Sequence, residues 1–242
     1  IYNMGIFRGP NIVRDGLVFH LDAANSKSYS GSGTTWTDLS GNYNGTLTNG
    51  PTHSSNNSGI LSFDGTNDYI TMAGSNNDHA WTHDGSVGSS ILCYEIWVKT
   101  TDGGGRLLSK PWNGNGQYNI SVYPNVFNLV AGSSKSISLP TFNDGKWHQL
   151  IVWANSTTMG YYFDGASNQN SVSHSITSST ISNGNNQLPL GIMTLYFYGS
   201  GWSGNTGHAL SGDVGIFRKY NRIITSTEAA QNYNATKGRF GI

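Results

Sequence analysis

The sequence predicts an all-β protein, a two-sheet antiparallel jelly-roll sandwich with one short C-terminal helix, and three observations predict it. Apolar and polar side chains alternate in short runs, with Asp-Gly and other turn signals between them. Thirty-two glycines and only two glutamates, Glu95 and Glu228, are poor helix material. Aromatic residues make up 12% of the 242, enough to furnish a core that two sheets can share.

Taken in order, Leu17-Val18-Phe19-His20-Leu21 alternates as a strand with one face on the core. Ile60-Leu61-Ser62-Phe63 runs into Asp64-Gly65 and is followed by Tyr69-Ile70-Thr71-Met72, which reads as a hairpin. Residues Ile91 to Val98 are apolar nearly throughout, the pattern of a central strand. Arg106-Leu107-Leu108, Tyr118 to Val122 and Val126 to Val130 read as further strands. Lys146 to Trp153 is the strongest, entered from an Asp144-Gly145 turn, and Met159 to Phe163 pairs back on it before Asp164-Gly165. A helix follows Thr225-Ser226-Thr227-Glu228, which has capping-box spacing, with Gly238 placed to close its far end. Ala229, Ala230 and Tyr233 give it a thin apolar stripe suited to a sheet edge. No composition break marks a linker, so residues 16–242 form one domain, preceded by an N-terminal docking segment over residues 1–15.

Composition excludes several roles. Thirteen basic and thirteen acidic residues cancel, leaving no electrostatic footprint for nucleic acid. No apolar run is long enough to be a membrane-spanning helix, so no membrane insertion is expected. A single cysteine, Cys93, precludes an internal disulfide, and its apolar strand argues against a reactive thiol. The chain begins at Ile1 rather than Met, so processing or an earlier start is expected.

Three stretches carry a resemblance. They are Gly16-Leu17-Val18-Phe19-His20-Leu21-Asp22-Ala23, then Trp36-Thr37-Asp38-Leu39-Ser40-Gly41-Asn42-Tyr43-Asn44-Gly45-Thr46-Leu47, then Ser62-Phe63-Asp64-Gly65-Thr66-Asn67-Asp68-Tyr69-Ile70. Together they resemble the opening of a laminin-G-like, concanavalin-A-like jelly roll. Asp144-Gly145-Lys146-Trp147-His148 and Tyr161-Tyr162-Phe163-Asp164-Gly165 resemble its central hairpin. Ser211-Gly212-Asp213-Val214 through Tyr220-Asn221-Arg222 is similar to its closing strand. At the ends, Asn25 after Leu21-Asp22-Ala23-Ala24, and Gln231 to Gly241, resemble laminin-G-like proteins of tailed phages of marine bacteria. That resemblance implies a virion-surface decoration, fibre or adhesion protein, present in many copies, with other virion proteins and cell-surface glycans as partners. Two rival readings are a purely structural capsid or tail protein whose aromatic loops are subunit interfaces, and a lectin-like module of a secreted, extracellular protein.

Catalysis has little support. Retaining glucanases among jelly rolls carry Glu-x-Asp-x-(x)-Glu on one strand, which sets two carboxylates about 5 Å apart. Here Glu95 is followed by Ile96, Trp97, Val98 and Lys99, and the next glutamate is Glu228. The aspartates mostly precede glycine, as turn residues do. The chain is expected to be no enzyme.

Calcium is a better question. Asp38-x-Ser40-x-Asn42-x-Asn44-Gly45 places oxygen-bearing side chains at alternate positions, as a hard cation requires. The resemblance implies one calcium ion, and Asp38, Asn42, Asn44 and Asp213 are its candidate ligands, with Asp22 a further contributor. In the family's closing strand an acidic pair often follows the glycine motif; those places fall here on Gly215 and Ile216. The competing reading is an Asx-turn loop that caps its own backbone.

Glycan recognition rests on loop aromatics, because a sugar offers an apolar C–H face ringed by hydroxyls. Trp112 and Asn113 lie among amides and glycines, and Tyr198, Trp202 and Asn205 form a second such loop. Trp81, between His79 and His83, is a third candidate. The alternative is that these rings plug the sandwich edges or meet another subunit.

Overall fold

The computed structural model describes residues 10–41, 43–73, 91–110, 119–131, 133–175, 190–193, 195–197, 203–205 and 208–242. In chain order the strands are β1 (Leu17–Asp22), β2 (Thr35–Trp36), β3 (Asn44–Thr48), β4 (Thr52–Ser54), β5 (Ile60–Asp64), β6 (Tyr69–Ala73) and β7 (Leu92–Lys99). They continue with β8 (Leu108–Lys110), β9 (Asn119–Tyr123), β10 (Val126–Ala131), β11 (Ser133–Ser138), β12 (Trp147–Ala154), β13 (Thr158–Phe163) and β14 (Asn168–Ser173). The last four are β15 (Leu190–Ile192), β16 (Leu195–Phe197), β17 (Ser203–Asn205) and β18 (Ser211–Tyr220), followed by helix α1 (Ser226–Thr236).

Among the described residues, the strands form two eight-stranded antiparallel sheets and one short ribbon. The first sheet runs β14-β13-β12-β7-β18-β5-β4, with β1 also on β18. The second runs β11-β10-β9-β8-β15-β6-β3-β2, and β16 pairs with β17. Leu61, Phe63, Tyr94, Ile96 and Phe217 of the first sheet meet Trp36, Ile70, Met72, Ile120 and Phe127 of the second in one buried core. This is the expected sandwich.

The Ile60 and Tyr69 segments are not a hairpin. β5 pairs with β18 and β4 in the first sheet, whereas β6 pairs with β3 and β15 in the second. The loop between them is a corner that carries the chain across the core. It is held by Asp64 Oδ1, which accepts from the backbone of Thr66 (2.7 Å) and Asn67 (3.3 Å), and by Asp68, which accepts from Asp64 N at 3.3 Å. Both strands alternate in the same way, so sequence period cannot distinguish a turn within a sheet from a step between sheets.

A third layer explains the continuous apolarity of β7. Leu92, Tyr94, Ile96 and Val98 face the shared core, while Cys93 and Trp97 lie in separate clusters on the reverse face. There Cys93 packs with Ile151, Tyr220, Ile224 and Ala229, and Trp97 packs with Trp147, Ile216 and Phe240. Helix α1 therefore lies on the outer face of the first sheet rather than along its edge. The reason is Asn232, a polar residue in the buried stripe beside Ala229, which bonds to groups on that face.

The capping box forms as expected: Thr225 Oγ1 accepts from Glu228 N at 3.2 Å, and Thr225 N donates to Glu228 at 2.8 Å. The stop differs. Gly238 lies inside a 3-10 turn, Lys237–Phe240, that continues the helix, and the left-handed residue is Gly241 at φ 76°. The extra turn carries Phe240 down onto Trp97 and Trp147. Phe240 is thus part of the domain's own packing. Val13 is likewise buried here, its N–H donating to Asn232 at 2.7 Å.

Candidate functional site

The β2–β3 edge of the second sheet builds an open cleft. In β2 the Trp36 ring is fully buried, so its neighbours Thr35 and Thr37 point to the other face. Register sets Trp36 opposite Gly45 and Thr35 opposite Thr46. A Cβ at Gly45 would stand 3.1 Å from Ile70 and 3.2 Å from Leu21, so a bare backbone suits that inward position. The outward set, Thr35, Thr37, Asn44 and Thr46, joins Asp38, Gly41 and Tyr43 around a cleft of about 600 Å³. The hydroxyls of Thr35, Thr37 and Thr46 make no hydrogen bond to any described residue.

Asp38 and Asn44 come together here, but their oxygens are committed. Asp38 Oδ1 accepts from His20 N (2.8 Å) and Ser40 N (2.9 Å), and Oδ2 from Ser40 Oγ (2.5 Å) and Tyr43 N (3.2 Å). Asn44 Oδ1 accepts from Asp38 N at 3.0 Å, which leaves its NH₂ group for the cleft. A carboxylate offers about four acceptor positions, and all four are used. The geometry is that of a loop capping its own backbone, and this donor set does not present a cation with an unused carboxylate oxygen.

Asp213 lies elsewhere. It accepts from Ser62 Oγ at 2.6 Å and stands five residues along β18 from Arg218, the residue opposite His20. At roughly 3.3 Å per residue that is about 16 Å from the Asp38 end. Asp22, the further contributor, pairs with Arg239 at 2.6 Å. Asn42 lies outside the described residues. Among the described residues, no three His, Cys, Asp or Glu side chains cluster as metal ligands would.

Register extends the polar face across the whole second sheet. Thr35, Thr46, Thr71, Gly191, Ser109, Ser121, Asn128 and Ser136 stand opposite one another in a single cross-strand row. The row holds no charged or apolar side chain. Its two ends are exposed at Thr35, Thr46 and Ser136, while Ser109 and Ser121 at its middle are buried.

On the outer face of the first sheet, the described residues pack over the strands instead. Glu95, fully buried there, has Oε1 bonded to Arg218 Nη1 (2.6 Å) and Gln149 Nε2 (2.9 Å), and Oε2 to Asn232 Nδ2 (2.7 Å). Asn232 also donates to Tyr220 at 2.8 Å. A carboxylate saturated beneath a helix has no route to a substrate, so Glu95 is a structural anchor. Burial pushes the Cys93 thiol up to about 12, as expected of an unreactive core cysteine. The positions where the family's acidic pair would fall are also covered: a Cβ at Gly215 would meet the Phe240 ring at 2.6 Å, and Ile216 is buried beside it.

Trp112, Asn113, Tyr198 and Trp202 lie outside the described residues, as do Trp81, His79 and His83. Asn205 ends β17, opposite Leu195. Sequence reasoning does not find the β2–β3 cleft, although the outward direction of its threonines is legible. Thr-Trp-Thr at 35–37 and Asn-Gly-Thr-Leu-Thr at 44–48 each alternate hydroxyl or amide with small or apolar residues.

The fold defines a class, the two-sheet β-sandwich. No family model and no curated protein matches the chain by sequence. Among solved structures, it is similar to domain 4 of AbnA, a GH43 extracellular arabinanase from Geobacillus stearothermophilus in complex with arabinotriose. That likeness has a TM-score of 0.63 at 14% identity, covering 91% of this chain and 100% of that one. It is also similar to Trypanosoma rangeli sialidase in complex with 2,3-difluorosialic acid, at TM-score 0.62 and 14% identity, covering 96% of this chain and 35% of that one. The binding domain of botulinum neurotoxin DC in complex with SialylT follows, at TM-score 0.61 and 13% identity, covering 92% and 52%. The chain spans about a third of the length of the sialidase it matches. At these identities the likeness shows the shared fold.

Proposed function

We propose that this chain is a non-catalytic glycan-recognition module. The observation that carries the reading is the β2–β3 cleft of about 600 Å³, with three threonine hydroxyls unshared among the described residues, an amide, and the half-buried Tyr43, which also packs against the core. A sugar needs that mixture: hydroxyl and amide groups for its own hydroxyls, and a ring for its C–H face. Support also comes from the likeness to an arabinanase domain in complex with arabinotriose and to a toxin binding domain in complex with SialylT. We place Trp112, Asn113, Tyr198, Trp202 and Asn205 in the same role as a second set of contacts. Single-site binding of this open, polar kind is weak, and many copies on one particle convert it into useful avidity. The virion surface is the setting that the sequence resemblance suggests, in a decoration, fibre or adhesion protein. A lectin-like module of an extracellular protein is the alternative setting, supported by the likeness to an arabinanase domain.

The test is a glycan array probed with the purified chain, its Tyr43→Ala and Thr46→Val variants, and Trp112→Ala and Trp202→Ala. Selective binding that weakens about tenfold or more in Tyr43→Ala supports the cleft, a loss of roughly 1.4 kcal/mol. Silence from a protein that melts cooperatively overturns the reading in favour of a purely structural module.

A further inference from the structure

The sheet face on which the cleft opens continues along β3 past the cleft itself. In β6, Ile70 and Met72 are buried in the core, so Tyr69 and Thr71 stand on the opposite face. In β3, Leu47 is buried likewise, and Asn44, Thr46 and Thr48 stand on that same opposite face. Register sets Thr46 between Thr35 and Thr71, and Thr48 opposite Tyr69. Thr35, Asn44 and Thr46 are exposed, while Thr48, Tyr69 and Thr71 are half-buried. Beyond Thr71 the row passes to Gly191 and Ser109, both buried, so toward the middle of the sheet the open part ends at β6. Asn49 Nδ2 donates to Asn67 O at 2.7 Å, tying the turn after β3 to the turn before β6 beside Tyr69.

The open strip therefore follows the strands rather than crossing them. At about 3.4 Å per residue, the outward side chains of β3 from Asn44 to Thr48 span about 14 Å. Tyr43 adjoins the Asn44 end and Tyr69 stands at the Thr48 end, so a half-buried ring marks each end, with hydroxyls and an amide between. Asn44 is held by the bond that its Oδ1 accepts from Asp38 N, which turns its NH₂ group outward as a fixed donor. The outward side chains of the three strands are threonine, asparagine and tyrosine, dipoles and rings that suit uncharged hydroxyl groups. Such a strip is longer than one sugar ring. We propose that Tyr69, Thr48 and Thr71 form a second subsite continuous with the cleft, and that the ligand is a linear, uncharged oligosaccharide lying along β3. Tyr69 meets the C–H face of a sugar remote from the cleft, and the two threonines meet that sugar's hydroxyls. This inference rests on the glycan reading and names its ligand class.

The experiment titrates the whole chain by calorimetry with arabinan, cellulose, xylan and mannan fragments, each as a series from monosaccharide to hexasaccharide. Wild type is compared with Tyr69→Ala, Tyr69→Phe and Thr48→Arg, each checked by thermal melting. In a series that binds, affinity is expected to rise about tenfold or more from monosaccharide to tetrasaccharide and then level off. Tyr69→Ala should remove that gain and leave monosaccharide affinity unchanged, whereas Tyr69→Phe keeps the ring and should keep most of the gain. Thr48→Arg, which sets a bulky charge on the strip, should remove the gain as well, and serves where Tyr69→Ala does not fold. Affinity independent of chain length overturns the second subsite while leaving the cleft intact. A gain that survives the Tyr69→Ala and Thr48→Arg variants that fold overturns it too. A chain that binds other glycans on the array but none of these series overturns the linear, uncharged ligand and leaves the glycan reading standing. Silence in both assays, from a protein that melts cooperatively, takes the broader reading with it.

Discussion

Phe240 lies against Trp97 with ring centroids 4.4 Å apart and planes inclined by 15°. The contact joins the end of the chain to the middle of the central strand, across a bare Gly215. Tyr233 stacks on the same indole from α1, at 5.6 Å and 10°. Three rings from two distant segments thus close the outer face of the first sheet. Arg239 secures the closure by donating to Asp22 (2.6 Å), Asn57 O (2.6 Å) and Gly59 O.

Phe240→Ala is accordingly expected to destabilise the domain by about 3–5 kcal/mol, the cost of emptying a buried aromatic site. At about 2–4 °C per kcal/mol for a chain of this size, the melting temperature should fall by roughly 6–20 °C. Gly215→Ala should act in the same direction by pushing that ring away. A melt unchanged by either substitution would show that the C-terminal turn does not contribute to the folded core.

Glu95 and Arg218 face each other in the β7–β18 register and are both almost fully buried. Arg218→Met leaves the carboxylate with two amide donors and no countercharge, at a cost of about 3–5 kcal/mol. Adding Glu95→Gln to that variant should recover most of the loss, because the stranded charge is removed. A double-mutant cycle by denaturant unfolding checks this. Additive single losses would count against the pairing. Glycan binding should not change in any of the three, since the network is sealed from solvent.

His148 sets a pH dependence. Its Nδ1 lies 2.8 Å from Asp164 Oδ2 and its Nε2 3.0 Å from Asp144 Oδ1. Burial works against the charged ring, but the two carboxylates outweigh it, and the pKa is raised above 6.5. The hydrogen bond from His148 in turn holds Asp144 down at about 2. A raised histidine stabilises fully below its unfolded value, and that contribution is lost as pH climbs through the folded one. A depressed carboxylate stabilises above 3.8 and loses its contribution as pH falls toward 2. The clamp therefore contributes most between about pH 4 and 6.5. Melting temperature against pH should decline above that window in wild type and flatten in His148→Gln. An identical alkaline limb in both proteins would exclude the clamp as its cause.

Asp38→Ala removes four hydrogen bonds to a buried carboxylate and should cost about 2–4 kcal/mol, with or without calcium. Adding calcium or EDTA to wild type is expected to leave the melting temperature within about a degree, because a bound ion would stabilise by mass action. A rise of several degrees in calcium that disappears in Asp38→Ala would place the ion in this loop.

Much of the fold was legible because it is local. Asp144-Gly145 and Asp164-Gly165 bracket a true hairpin, β12 with β13, and Thr225 and Glu228 close a true capping box. The β5–β6 corner was misread because Asp64-Gly65 is the same turn chemistry whether the chain returns beside itself or crosses the core. At the site, Asp38 and Asn44 were found, but the threonines around them were not. A residue's outward direction is encoded by alternation, whereas the pocket it helps to line is not.

Composition and period two were sufficient for an all-β sandwich with a capped C-terminal helix, because strand alternation and turn residues act over a few positions. Which face each sheet shows to water was decided only in three dimensions. Glu95 finds Arg218 123 residues away and Asn232 137 away, and those bonds turn the candidate acid into an anchor beneath α1. Thr35 and Ser136 belong to one polar row only through seven successive strand pairings. Alternation states which side chains share a face, but the partner that covers that face is chosen by packing between segments far apart in the chain.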